Sequence, residues 1–125
     1  MAHILLAEDD ESLRKFLAQA LVRAGHAVTD FGDGGEAWEC LKGFRFDLLL
    51  TDIVMPGLNG RDLARRFSSL RAESKILLTS GYSDGMAGVS QLDPTVNYLP
   101  KPFSAEKLTQ VVKQVLAGDR SEPRP

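Results

Sequence analysis

Short apolar runs alternate with stretches of helical periodicity along nearly the whole chain, and this alternation limits the fold more than any other feature. His3-Ile4-Leu5-Leu6-Ala7 is too short for a helix and reads as a strand. Leu13, Phe16, Leu17, Ala20, Leu21 and Ala24 then recur on one helical face, which Gly25 ends. Ala27 to Phe31 reads as a half-buried strand, Gly32-Asp33-Gly34-Gly35 as a turn, and Glu36 to Lys42 as a weaker helix. Asp47-Leu48-Leu49-Leu50-Thr51 is almost continuously apolar, the mark of a strand buried on both faces. A loop at Met55-Pro56-Gly57 leads into a helix from Asn59 to Leu70. Ile76-Leu77-Leu78 is another buried strand, Ser83 to Gln91 is Gly-rich and irregular, and Val96 to Leu99 is a short strand. Leu108, Val111, Val112, Val115 and Leu116 stripe the last helix, with Ser104 as its cap. Strand and helix alternating five times predict an α/β fold, a doubly wound five-stranded parallel sheet with helices on both faces and right-handed crossovers.

A length of 125 residues suits one domain, expected over 1–117, with a polar, Pro-containing tail at 118–125 that frays. The net charge of −2, with no stripe of Lys and Arg, argues against a nucleic-acid partner. Cys40 is a lone cysteine, so the fold needs no disulfide, and it reads as a small helix residue. No apolar run approaches the ~18 residues of a membrane span, and the chain enters its first strand without a signal peptide. The expectation is a cytoplasmic protein without a membrane partner.

Ligands of an open parallel sheet bind beyond the carboxyl ends of its strands. Glu8, Asp9 and Asp10 follow the first predicted strand, Asp52 the third, Thr79 and Ser80 the fourth, and Lys101 the fifth. Each has an ordinary reading alone: helix capping for the acidic triplet, a solvated strand end for Asp52, strand-end hydroxyls for Thr79 and Ser80, a surface ammonium for Lys101. Their convergence on one edge is the informative observation. Clustered carboxylates repel unless a cation relieves them, and Mg²⁺ accepts a site with few carboxylates because it keeps several waters. Asp10 is assigned to capping. Lysine and a hydroxyl complete a cradle for a phosphoryl group, and a carboxylate facing it can attack phosphorus to form an aspartyl phosphate. Elsewhere, His3 and His26 read as strand-edge and loop residues, Trp38 as packing for its helix, and Arg61, Arg65 and Arg66 as a solvated face.

Glu8-Asp9-Asp10, Thr51-Asp52-Ile53-Val54-Met55-Pro56-Gly57, Ser80-Gly81-Tyr82 and Lys101-Pro102-Phe103 together resemble the motif set of bacterial response-regulator receiver domains. The resemblance runs from residue 3 to about 117. It implies the flavodoxin-like receiver fold with strand order 2-1-3-4-5. It also implies a function in phosphorelay signal transduction, with a phosphoryl group passing from a histidine kinase or histidine phosphotransfer protein onto Asp52 with Mg²⁺. Asp9 matches the direct Mg²⁺ ligand, Glu8 the acid holding a metal-bound water, and the Val54 carbonyl the third protein ligand. Lys101 matches the lysine that meets the phosphoryl oxygens, and its bond to Pro102 matches one that is commonly cis. Tyr98 matches the aromatic switch residue. The switch hydroxyl is Ser80 or Thr79. Ser80 followed by Gly81 fits the family's hydroxyl-then-small pair better, but strand alternation cannot decide without register. Such a domain is no enzyme beyond self-catalysed phosphotransfer and slow self-dephosphorylation, the latter governed by Val54 and Tyr82. A phosphohistidine partner would dock on the first helix, at Lys15, Ala18, Gln19 and Val22 opposite its core stripe, and on the loop after the fifth strand.

Three rivals fit less well. A haloacid-dehalogenase-type enzyme would carry a second Asp where Val54 stands. A flavin or nucleotide module would need a hydroxyl- or glycine-rich phosphate loop where Glu8-Asp9-Asp10 stands. An adaptor receiver acting by binding alone would have lost core residues that are all present. Ser80-Gly81-Tyr82 and Leu99-Pro100-Lys101-Pro102-Phe103 resemble receivers of hybrid sensor histidine kinases. The stretches at Ile4–Asp10 and Leu48–Pro56 resemble stand-alone regulators of alphaproteobacterial cell-cycle proteolysis. Met1 falling just before the first strand places the stand-alone reading ahead.

Overall fold

In the computed structural model the chain alternates as its pattern predicts, and the structure describes residues 2–71, 73–81 and 96–118. The elements are β1 (His3–Ala7), α1 (Glu11–Arg23), β2 (Ala27–Phe31), α2 (Gly34–Gly43), β3 (Leu48–Asp52), α3 (Gly60–Leu70), β4 (Ile76–Ser80), β5 (Asn97–Pro100) and α4 (Ala105–Leu116). All strand pairs are parallel and the order is β2-β1-β3-β4-β5. The Gly-rich stretch at 83–91 and the tail beyond Gly118 lie outside the described residues.

Alternation along the strands splits the core in two. Ile4, Leu6, Leu48, Leu50, Leu77 and Leu99 face α1 and α4. Leu5, Ala7, Leu49, Ile76 and Leu78 face α2 and α3, where Phe67, Leu63 and Leu41 are fully buried. Every residue of β3 and β4 is buried, because helices cover both faces of the sheet interior. Each fully buried Leu or Phe side chain contributes about 1.5–3 kcal/mol of transfer free energy.

Several boundaries differ from the sequence expectation. α2 begins at Gly34 rather than Glu36, since the Asp33 carboxylate accepts from the amides of Gly35 and Glu36 at 2.7 and 3.0 Å. The residues read as a turn are therefore a capped first helical turn. β3 and β5 each sit one residue later than expected, and β4 extends through Thr79 and Ser80 to its last buried residue. Phe16, assigned to the core stripe, is 47% exposed. The buried sector of α1 is Leu17, Ala20 and Leu21, with Leu13 and Ala18 packed beside it. Phe16 lies about 100° from Leu17 on the side away from Ala18, outside that sector. Ala24 is the exposed C-cap. Ala18 is correspondingly not a free member of the outer face, whereas Lys15, Gln19 and Val22 are exposed.

Candidate functional site

Parallel strands end in step, so whatever follows β1, β3 and β5 meets at one edge. Asp52 closes β3 and is 5% exposed. Glu8 follows β1, is 1% exposed, and is held by its amide donating to the Phe31 carbonyl at 3.0 Å. Lys101 follows β5, with its amide donating to the Ser80 carbonyl at 2.8 Å. Its ammonium reaches back across the edge to Glu8 Oε1 and Asp52 Oδ2, both at 3.0 Å. The other oxygen of Glu8, Oε2, accepts from the Asp10 amide at 3.0 Å. Asp10 itself caps α1, accepting from the Leu13 amide at 3.0 Å, as expected from the sequence. The Lys101-Pro102 peptide bond is cis.

Burial pushes the Glu8 carboxyl above its usual range, with the Asp52 charge adding to it and the Asp10 amide and Lys101 opposing. Burial acts against the charge of Lys101, but its hydrogen bonds to Glu8 and Asp52 and their negative charge outweigh it, so its pKa is raised. The site thus holds two buried carboxylates on one ammonium. Asp9, which is exposed, adds a third: one carboxylate oxygen each from Glu8, Asp9 and Asp52 fall within 4.8 Å of one another. Such a set of hard oxygens, open to solvent on the Asp9 side, fits a small divalent cation such as Mg²⁺. Val54, two residues beyond Asp52 on the loop to α3, is 55% exposed.

Register separates the two hydroxyls. Asp52 pairs with Thr79 and Thr79 with Leu99, so these three side chains share the face of α1 and α4. Ser80 stands one residue nearer the open edge and shares the opposite face with Leu78 and its partner Tyr98, which is half-buried against the second core. Thr79 also supplies the carbonyl that receives the Ile53 amide at 2.9 Å. Tyr82 lies outside the described residues.

One contributor escaped the sequence reading. Arg14 Nη1 donates to the Glu8 carbonyl at 2.8 Å while its Nε pairs with Asp30 at 3.0 Å, tying the acidic turn to both α1 and β2. Only its place one turn beyond Asp10 hinted at this. Of the residues discounted from sequence, the two histidines, Trp38, Arg65 and Arg66 are engaged elsewhere. His3 and His26 lie at the opposite end of the sheet, where a recess of about 700 Å³ opens among His26, Arg45, Arg71 and Lys75. Trp38 packs partly on the second core with Arg66 over its ring at 5.7 Å, and Arg65 pairs with Asp62 at 3.0 Å. Among the described residues no helix is long and apolar enough to cross a membrane.

A family model described as "Response regulator receiver domain" matches residues 4–113. The response regulator receiver protein CpdR of Brucella abortus is 40% identical over 117 residues, covering 93% of this chain and 98% of that protein. The DNA-binding transcriptional regulator NtrC of Azospirillum brasilense is 37% identical over 116 residues, but the match spans only 24% of its length. Among solved structures, a CheY-like response regulator receiver domain protein from Methanospirillum hungatei superposes with a TM-score of 0.85 at 26% identity, covering 94% of this chain and 95% of that one.

Proposed function

The chain belongs to the response regulator receiver family of two-component phosphorelays, and from that premise we propose that Asp52 is its phosphoacceptor. The observation that carries the assignment is the Lys101 ammonium, 3.0 Å from the carboxylates of both Glu8 and Asp52 at the edge where β1, β3 and β5 end.

In this reading a carboxylate oxygen of Asp52 attacks phosphorus of a phosphohistidine borne by a histidine kinase or histidine phosphotransfer protein. A P–O bond forms as the P–N bond breaks, and the imidazole nitrogen leaves with the electron pair. Lys101 exchanges a carboxylate oxygen for a phosphoryl oxygen and keeps its tie to Glu8, which holds the ammonium over the transfer path. Glu8, Asp9, Asp52 and the Val54 carbonyl are the residues that would hold Mg²⁺, whose charge would offset that building on the equatorial oxygens. Ser80, nearer the edge than Thr79 and followed by Gly81, is the hydroxyl that turns to the phosphoryl group, with Tyr98 on its face of the sheet as the responding ring. Thr79 remains the alternative. The domain spans 1–117 with 118–125 as tail, works in the cytoplasm, and passes its signal by protein contact rather than by binding nucleic acid. CpdR, matched along 98% of its length, supports a stand-alone regulator over a hybrid-kinase receiver.

Acetyl phosphate with Mg²⁺ tests the assignment directly. One acid-labile phosphoryl group per chain is expected, and none in Asp52→Asn; labelling that persists in the variant would overturn it.

A further inference from the structure

The loop joining Asp52 to α3 is gripped from the side by the start of a different helix. The Gly34 amide donates to the Pro56 carbonyl at 3.0 Å. Gly34 itself is buried, and a Cβ there would run into the Leu58 carbonyl oxygen, backbone that cannot swing aside. Gly57 has φ +77°, and a Cβ on it would lie 2.9 Å from the Asp33 carboxylate. That carboxylate is in turn fixed by the amides of Gly35 and Glu36. At the loop's far end the Gly60 amide donates to the Ile53 carbonyl at 2.8 Å. Residues 53–58 therefore hang between two backbone clasps, one formed by their own ends and one by α2.

We propose that Gly34 is a positioning residue of the phosphotransfer site: by admitting the Leu58 carbonyl and holding that of Pro56, the first turn of α2 sets the path of the loop that carries Val54. The inference rests on the reading of the Val54 carbonyl as a Mg²⁺ ligand. It goes further in making a residue on β2's side of the sheet, outside every motif quoted above, set the third ligand's place. A methyl group at Gly34 must displace either α2 or the loop. α2 is anchored by buried Ala37 and Leu41, so the loop yields.

The test compares the full chain with Gly34→Ala, Asp33→Ala and Gly43→Ala. Gly43 ends α2 with nothing within 4 Å of an added Cβ, which makes it the control for a changed helix. Trp38, the single tryptophan, lies one turn from Gly34 and reports Mg²⁺ titrations by fluorescence. Amide hydrogen exchange across 53–59, measured without metal, reports loop order independently. With the fold retained by circular dichroism, Gly34→Ala should raise the half-saturating Mg²⁺ concentration at least tenfold and speed exchange across the loop by a similar factor. Gly43→Ala should match the parent. A folded Gly34→Ala protein with parental affinity and parental exchange would overturn the proposal. If Gly34→Ala does not fold, Asp33→Ala decides: it loosens the same turn without adding atoms, a threefold or greater weakening is expected, and unchanged affinity and exchange overturn the idea. A parent chain that binds no Mg²⁺ would refute the metal reading alone, since the metal-free exchange comparison still decides the role of Gly34.

Discussion

The ammonium of Lys101 donates to Asp52 Oδ2 at 3.0 Å, so the carboxylate proposed to attack phosphorus already carries a bound cation. That cation also competes with a metal for the same oxygens. Lys101→Met should therefore bind Mg²⁺ more tightly, by severalfold, while phosphorylation from acetyl phosphate slows at least tenfold. Without metal, two buried carboxylates lose their common partner, and stability should fall by about 2 kcal/mol, less than for a fully buried pair because Lys101 keeps some exposure. Fluorescence titration and urea unfolding measure the two effects. Weakened Mg²⁺ binding would show that the lysine organises the carboxylates rather than competing for them.

Asp9 and Asp10 are neighbours with separate tasks. Asp10 spends its side chain on the Leu13 amide, whereas an Asp9 oxygen lies within 4.8 Å of Glu8 and Asp52 oxygens. Asp9→Asn should weaken Mg²⁺ binding by an order of magnitude or more with little change in unfolding. Asp10→Ala should cost about 1 kcal/mol of stability through the lost cap and leave the metal affinity near the parent's. Equal losses of affinity would contradict the division.

Val22 is 57% exposed on α1, beside exposed Lys15 and Gln19. As part of a surface for a phosphohistidine partner, Val22→Glu should slow transfer from that partner severalfold and leave labelling by acetyl phosphate unchanged. A parallel fall in both rates would place the effect in folding instead.

Val54 is exposed two residues beyond Asp52 and offers no group that could orient an attacking water. The phosphorylated chain should decay slowly, and Val54→Asn should shorten its lifetime severalfold, followed by loss of label after donor removal. An unchanged decay rate would put control of water elsewhere.

The sequence was most legible where local chemistry and burial agree. The Leu-rich runs of β3 and β4 announced strands covered on both faces, and Asp10, Asn59 and Ser104 marked helix starts that each accept the expected amide. Asp33 does the same for α2, but the flanking glycines read as a turn. Gly34 is there for the approach of another backbone, which no local pattern encodes. Phe16 misled because helical spacing fixes a stripe's width only to about one residue, and the sheet chose the sector containing Ala18. The acids, the lysine and Asp52 could be gathered at one edge from strand ends alone. Placing Ser80 and Thr79 on opposite faces of the sheet required the pairing of Asp52 with Thr79, a register that belongs to the assembled sheet. The grip of Arg14 on the Glu8 carbonyl is likewise a tertiary contact.

β3 is the middle strand, and it is braced on both flanks. On one side β1 is laddered to both β2 and β3, and the Glu8 amide extends the β2 ladder past the strand's end. On the other side β4 is laddered to both β3 and β5, and the Lys101 amide carries that pairing on to the Ser80 carbonyl. A disturbance at Asp52 thus meets a paired strand on each side, one leading to the acidic turn and the other to Tyr98 and Lys101. The sheet behaves as a beam supported on both sides of its midpoint, with Asp52 at the end of the strand that forms that midpoint.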